Sequence, residues 1–116
     1  MAGFLGNAVA RYVVQGKVKA FTATWNAARV GTTNLAGRQW IDIQVRGSTA
    51  LALAYANRNI DGTFTTPTNS AHNCKIIPRN TIYSEPLSDD VTLYVRAVNK
   101  VASNAGGCVV VVAEYM

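Results

Sequence analysis

Asp89-Asp90-Val91-Thr92-Leu93-Tyr94-Val95-Arg96-Ala97-Val98 and Cys108-Val109-Val110-Val111-Val112-Ala113-Glu114-Tyr115 are the two runs whose reading decides how this chain folds. In the first, Val91, Leu93, Val95 and Ala97 share one face while Thr92, Tyr94 and Arg96 share the other, the period of two that marks a half-buried strand. The second is apolar on both faces for most of its length. A strand of that kind belongs at the centre of a sheet, and the run just before it is its natural partner. Together they read as a β-hairpin, turned by Gly106-Gly107, at the heart of a β-sandwich. An alternative for the last strand gives one of its faces to a neighbouring subunit.

Working outward, Arg38 to Arg46 has the clearest alternation, with Ile41, Ile43 and Val45 toward a core and Trp40, Asp42, Gln44 and Arg46 away from it. Ala50 to Ala56 places Leu51, Leu53 and Tyr55 on one side and only alanines on the other; the spacing of two makes it a strand. Lys17 to Trp25 alternates as well and reads as the first strand. Lys75-Ile76-Ile77 and Thr81 to Ser84 are short runs closed by Pro78 and by Glu85-Pro86, and prolines at strand ends point to sheet edges. Asn57 to Asn73 is polar and punctuated, an exposed loop. The count is about eight strands with frequent turn signals, the pattern of an antiparallel β-sandwich or jelly-roll-like domain over residues 17–116. Residues 1–16 stand apart as an N-terminal arm or short helix. Phe4, Leu5, Ala8, Val9, Tyr12 and Val13 recur at helical spacing, while Gly3, Gly6 and Gly16 weaken a helix. Such a segment either tucks under the domain's own sheet or docks on a neighbour.

Composition narrows the function classes. At 116 residues the chain is long enough for one domain with its own core. Charged residues make up 15%, against about 25% in an average soluble domain, and threonine and asparagine supply much of the remaining polarity. That surface suits a protein held against other protein surfaces. The net charge of +5 is spread from Arg11 to Lys100 and favours an acidic partner. No apolar window reaches the length of a membrane span, and Phe4-Leu5 is too short for a secretory signal. Cys74 and Cys108 are too few for a disulfide scaffold and have no metal-ligand spacing; they read as buried free thiols.

No motif assembles a catalytic centre or calls for a cofactor. His72 is the only histidine, and a Cys74-His72 pair two residues apart carries no nucleophile geometry. Asp89-Asp90 and Asp61-Gly62 lack the spaced oxygen ligands of a calcium loop and read as turns. Single-stranded nucleic-acid binding is the competing reading, with Trp25, Trp40 and Tyr94 as stacking platforms and Lys17, Lys19, Arg46 and Arg96 as a basic groove. Against it, the aromatic and basic residues do not interleave in one segment.

Ile77-Pro78-Arg79-Asn80-Thr81-Ile82-Tyr83-Ser84-Glu85-Pro86-Leu87, followed by Val91 to Ala97 and the terminal valine run, resembles the small virion proteins of tailed bacteriophages, above all the capsid decoration or cement proteins. The likeness spans roughly residues 38–116 in pattern, without a signature motif. It implies a β-rich domain on the capsid exterior, made in the host cytoplasm, that ties coat subunits together without enzymatic activity. The implied partners are the major capsid protein or other virion proteins and further copies of the chain, as a trimer first and a dimer second, with no membrane and no nucleic acid. Receptor- or carbohydrate-binding tip domains share the style. On this reading the contact residues are Phe4, Leu5, Tyr12 and Val13 on the arm and Arg58, Ile60 and Phe64 on the long loop.

Overall fold

The computed structural model describes residues 13–47, 49–68, 70, 74–98 and 108–116. Within them the chain runs through eight strands: β1 (Val13–Ala20), β2 (Asn26–Ala27), β3 (Trp40–Arg46), β4 (Leu51–Asn57), β5 (Lys75–Ile77), β6 (Ile82–Pro86), β7 (Val91–Ala97) and β8 (Cys108–Tyr115). They form two four-stranded antiparallel sheets, in the orders β1-β8-β3-β6 and β2-β7-β4-β5. Four hydrogen-bonded pairs are nested, β4 with β5, β3 with β6, β2 with β7 and β1 with β8. This is one long antiparallel ribbon folded over on itself, the wrap of a jelly roll. The expected all-β sandwich is therefore the architecture observed.

The terminal hairpin is not. β7 pairs with β2 and β4, whereas β8 pairs with β1 and β3, so the two runs lie in opposite sheets. Each is a central strand with both edges occupied, which agrees with their apolar character. Alternation reports which face is buried and is silent on which sheet a strand joins. Gly106-Gly107 lies outside the described residues, as does His72.

The core is filled from both sheets by Ile41, Ile43 and Val45 of β3, Leu51 and Leu53 of β4, Leu93 and Val95 of β7, and Cys108, Val110 and Val112 of β8, all buried. Each large aliphatic side chain removed from water stabilises the fold by about 1.5–3 kcal/mol. Tyr55 shares the pleat face of Leu51 and Leu53 but reaches the rim, where its hydroxyl donates to Glu85 Oε2 at 2.6 Å. Ala52 and Ala54, on the opposite face, are as buried as the leucines because Arg96 and Tyr94 stand directly across from them on β7. Both cysteines are free, Cys108 buried and Cys74 half-buried.

The first strand also differs from expectation. It begins at Val13 and ends at Ala20, and Val13–Gly16 pair with Tyr115–Val112. These four residues belong to the sandwich and not to an arm; residues 1–12, with Phe4, Leu5 and Tyr12, lie outside the described residues. Gly16 looks like a stop in the sequence, yet it sits mid-strand, where a Cβ would stand 3.0 Å from Val30 Cγ1, a tight contact. After Ala20 the chain leaves for the second sheet, and Phe21 O accepts from Ala97 N at 3.0 Å.

One end of the sandwich, where β4 and β8 finish and β3 and β7 begin, is closed by the segment 28–39. Its centre is a buried ion pair, Arg38 Nη1 to Glu114 Oε2 at 2.7 Å, with both side chains withdrawn from solvent. Glu114 also accepts from Val30 N at 2.9 Å and Leu35 N at 3.1 Å. Arg38 donates further to the carbonyls of Leu87, Ser88 and Val91. Asn34 Nδ2 adds bonds to Asp89 O and Thr92 Oγ1, both at 3.0 Å. A buried charge is tolerated only when it is matched and its remaining hydrogen-bonding capacity is filled, and here one pair ties the segment to both sheets.

Candidate docking surface

The outer face of the β1-β8-β3-β6 sheet has no second layer over it among the described residues, and cross-strand register arranges it in four rows. The first is Val13, Tyr115, Trp40 and Pro86. The second is Gln15, Ala113, Asp42 and Ser84, and the third Lys17, Val111, Gln44 and Ile82. The fourth is Lys19, Val109 and Arg46. The free side of an antiparallel sheet normally reads as polar. This one interleaves large apolar groups: Val13 is 41%, Trp40 37% and Ile82 69% exposed. With strands about 4.8 Å apart and rows about 6.8 Å apart, the face covers on the order of 500 Å2, below the roughly 800 Å2 that each partner buries in a standard interface.

Asp42 organises the apolar end. Trp40 Nε1 donates to its Oδ1 at 2.9 Å and the Tyr115 hydroxyl to its Oδ2 at 2.7 Å. Burial works against ionisation of this carboxyl, but hydrogen bonds from Ser84, Tyr115 and Trp40 together outweigh it and hold the group below the usual carboxylate range. The same bond to Asp42, with burial and the carboxylate charge, pushes the Tyr115 hydroxyl up. Two aromatic side chains are thus fixed beside each other at the surface. At the other end the side chains of Lys17, Lys19 and Arg46 make no hydrogen bond or ion pair with any described residue. Among the described residues, Arg38 pairs with Glu114 and Arg58 with Asp90.

The loop after β4 stands at the same end of the sandwich as the Val13 row. Arg58 Nε meets Asp90 Oδ1 at 3.2 Å, its Nη2 donates to Asp89 O at 2.9 Å, and its guanidinium lies over the Phe64 ring, 5.0 Å from the centroid. Asp61 Oδ1 accepts from the backbone and hydroxyl of Thr63, and Asn59 N donates to Thr63 O at 2.8 Å. Gly62, with φ of 88°, supplies the left-handed residue that this turn needs. The loop is therefore built from its own hydrogen bonds, and it holds Ile60 wholly in solvent. Between it and residues 29–34 lies a cavity of about 270 Å3 lined by Arg29, Thr32, Thr33, Arg58, Phe64 and Tyr94 among others, suited by its guanidinium and hydroxyl groups to a polar or anionic ligand.

Of the residues expected to make contacts, Val13, Arg58, Ile60 and Phe64 are thus gathered at one end of the sandwich, and Phe4, Leu5 and Tyr12 lie outside the described residues. Asp89 and Asp90 serve the turn before β7: Asp89 Oδ2 accepts from Gly37 N at 2.8 Å, and Asp90 holds Arg58. The nucleic-acid constellation is divided. Lys17, Lys19, Arg46 and Trp40 lie on the outer face of one sheet, while Tyr94 and Arg96 lie on the outer face of the other. Trp25 goes with the second group, since the Arg96 guanidinium stands 5.6 Å from its ring centroid. Among the described residues no three of His, Cys, Asp and Glu gather as a metal site would require. Burial raises the Cys108 thiol, which leaves it the small core hydrophobe expected of it.

Sequence reasoning found both faces of β3 but missed the four-row surface and the Arg38–Glu114 pair. Parity alone could have found Glu114, since Cys108, Val110, Val112 and Glu114 all fall on one face of the last strand. The surface depends on β1 and β3 flanking β8, a pairing of distant segments that no local pattern states. No family profile matches the chain, and no curated protein matches it in sequence.

Proposed function

We propose that the chain is a non-enzymatic structural protein of a virion, a decoration or cement protein that docks on the outer surface of a capsid shell and stabilises the coat lattice. The observation that supports this reading is the bare outer face of the β1-β8-β3-β6 sheet, with Val13, Trp40, Val111 and Ile82 set among polar and basic groups. A face of about 500 Å2 is small for a lone contact. Durable attachment therefore comes from repetition, several copies acting together as a homo-oligomer, with a trimer the first choice, or from contacts added by residues 1–12, which enter the domain at the apolar row. Jelly rolls serve shells and carbohydrate-binding domains alike, so the fold by itself does not choose between them.

The test is co-sedimentation with empty shells assembled from the major capsid protein of the same virus. The full chain pellets with the shells in a saturable ratio. A truncation beginning at Val13 stays folded and pellets less; a cut extending to residue 14 would remove Val13 and Val14 from β1 and confuse unfolding with loss of contact. Absence of the full chain from the pellet would remove the reading. The cavity beside Phe64 favours a second reading, carbohydrate binding, which a glycan array probed with wild type and Arg29→Ala decides.

A further inference from the structure

We infer that the basic end of this face, Lys17, Lys19 and Arg46, is the electrostatic half of the docking surface and receives an acidic protein surface. The inference rests on the lattice-binding reading and adds the chemistry of the partner to it. Lys19 and Arg46 flank Val109 in one row and Lys17 flanks Val111 in the next. Strand and row spacings put the first two about 10 Å apart and Lys17 about 7 Å along the strand from Lys19. Three positive charges thus share a patch roughly one Debye length across, where each raises the potential at the others. The carboxylate that the face offers among the described residues is Asp42, two rows from Arg46 and already engaged by Trp40 and Tyr115. Three cations left without a counter-charge beside them are held at a cost in self-repulsion, and a carboxylate-bearing partner removes that cost.

Protein is favoured over nucleic acid by what lies between the cations. Val109 and Val111 separate them, and Ile82 lies across Gln44 in the row of Lys17. Single-stranded nucleic acid is held by aromatic platforms beside its phosphate contacts. Here Trp40 is three rows from Arg46, and Trp25 and Tyr94 belong with the other sheet. Aliphatic side chains flanked by lysine and arginine match a protein surface with an apolar centre and an acidic margin.

The experiment compares Lys17→Glu, Lys19→Glu and Arg46→Glu, singly and together, with Arg79→Glu, which makes the same change in net charge on an exposed turn between β5 and β6. Binding to empty shells is measured at about 50 mM and about 300 mM salt, where the Debye length falls from about 14 Å to about 6 Å. Each reversal on the face is expected to weaken binding by roughly threefold to tenfold, mostly through the association rate, and the triple reversal to flatten the salt dependence, while Arg79→Glu leaves both unchanged. Lys17→Gln, Lys19→Gln and Arg46→Gln together keep the test open if the reversals fail to fold. Full binding by the triple variants overturns this assignment and leaves the lattice reading standing, whereas absence of binding by the wild-type chain removes the lattice reading itself. Tight binding of oligothymidylate that competes with shells and is lost in the triple variant also overturns it, in favour of a phosphate partner.

Discussion

Replacing Glu114 by glutamine removes one charge at the point where a single carboxylate holds three donors: Val30 N, Leu35 N and Arg38 Nη1. The glutamine oxygen can replace one carboxylate oxygen, but its amide nitrogen then faces either the Val30 N–H or both the Leu35 N–H and the Arg38 guanidinium, donor against donor. Arg38 stays buried without a counter-ion. Removing one partner of a buried ion pair costs about 3–5 kcal/mol. A domain of 116 residues has a total stability of about 6–17 kcal/mol, so the loss is a large share of it. With a urea slope of about 1.5 kcal/mol per molar, the unfolding midpoint should fall by about 2–3 M at unchanged slope. Buried pairs elsewhere are often replaced by apolar residues at little cost, but Arg38→Leu with Glu114→Leu should not behave that way. The carbonyls of Leu87, Ser88 and Val91 and the N–H groups of Val30 and Leu35 would all lose a partner, at about 1–3 kcal/mol each. The double variant should be less stable than Glu114→Gln. Urea denaturation followed by tryptophan fluorescence and circular dichroism reads both. A Glu114→Gln loss under about 1 kcal/mol, or a double variant more stable than the single, would refute the reasoning.

Gly16→Ala should lower the thermal midpoint by a few degrees, because its Cβ meets Val30 Cγ1 at 3.0 Å, and Gly47→Ala by more, because its Cβ would lie 2.8 Å from Cys108 Sγ; scanning calorimetry of both variants checks the order. The Asp42 carboxyl has a folded pKa below its ordinary 3.8, so the stability it contributes is present above that value and fades as pH falls through the folded pKa; the Tyr115 hydroxyl is raised above 10.0, so its share is present below 10.0 and lost as pH rises through the folded value. Midpoints measured across pH should show both limbs in the wild type and smaller ones in Asp42→Asn. Refolding should be slow, milliseconds to seconds, because β1 cannot pair until β8 arrives from the far end of the sequence, and stopped-flow fluorescence would contradict this with a sub-millisecond phase of full amplitude.

Much of the fold was legible because alternation survives wherever one face is buried. Ile41, Ile43 and Val45 point inward as their spacing says, and the prolines at 78 and 86 mark the edge strands β5 and β6. What alternation does not carry is partnership. Val91 to Ala97 and Cys108 to Tyr115 look like hairpin partners because they are adjacent and apolar, yet each finds its neighbours elsewhere and they meet only through the core. Gly16 misled for a different reason: glycine weakens a strand on propensity, but here the strand is held by its pairing with β8 and the glycine lies close against Val30. The docking surface was half visible. Trp40 and Arg46 were assigned to the outer side of their strand, while the row that joins Arg46 to Lys19 exists only once β8 lies between β3 and β1. The contact residues chosen from the sequence favoured the arm and the long loop; the open sheet face adds Trp40, Ile82 and the basic row.

The central claim is that the outer face of the β1-β8-β3-β6 sheet turns toward a coat lattice. Electron cryo-microscopy of shells saturated with the chain tests it directly. The account predicts density for the jelly roll on the shell exterior with Trp40, Ile82 and Lys19 against coat subunits and the β2-β7-β4-β5 sheet directed away. Shells without added density, or a bound domain whose β2-β7-β4-β5 sheet faces the lattice, would contradict it.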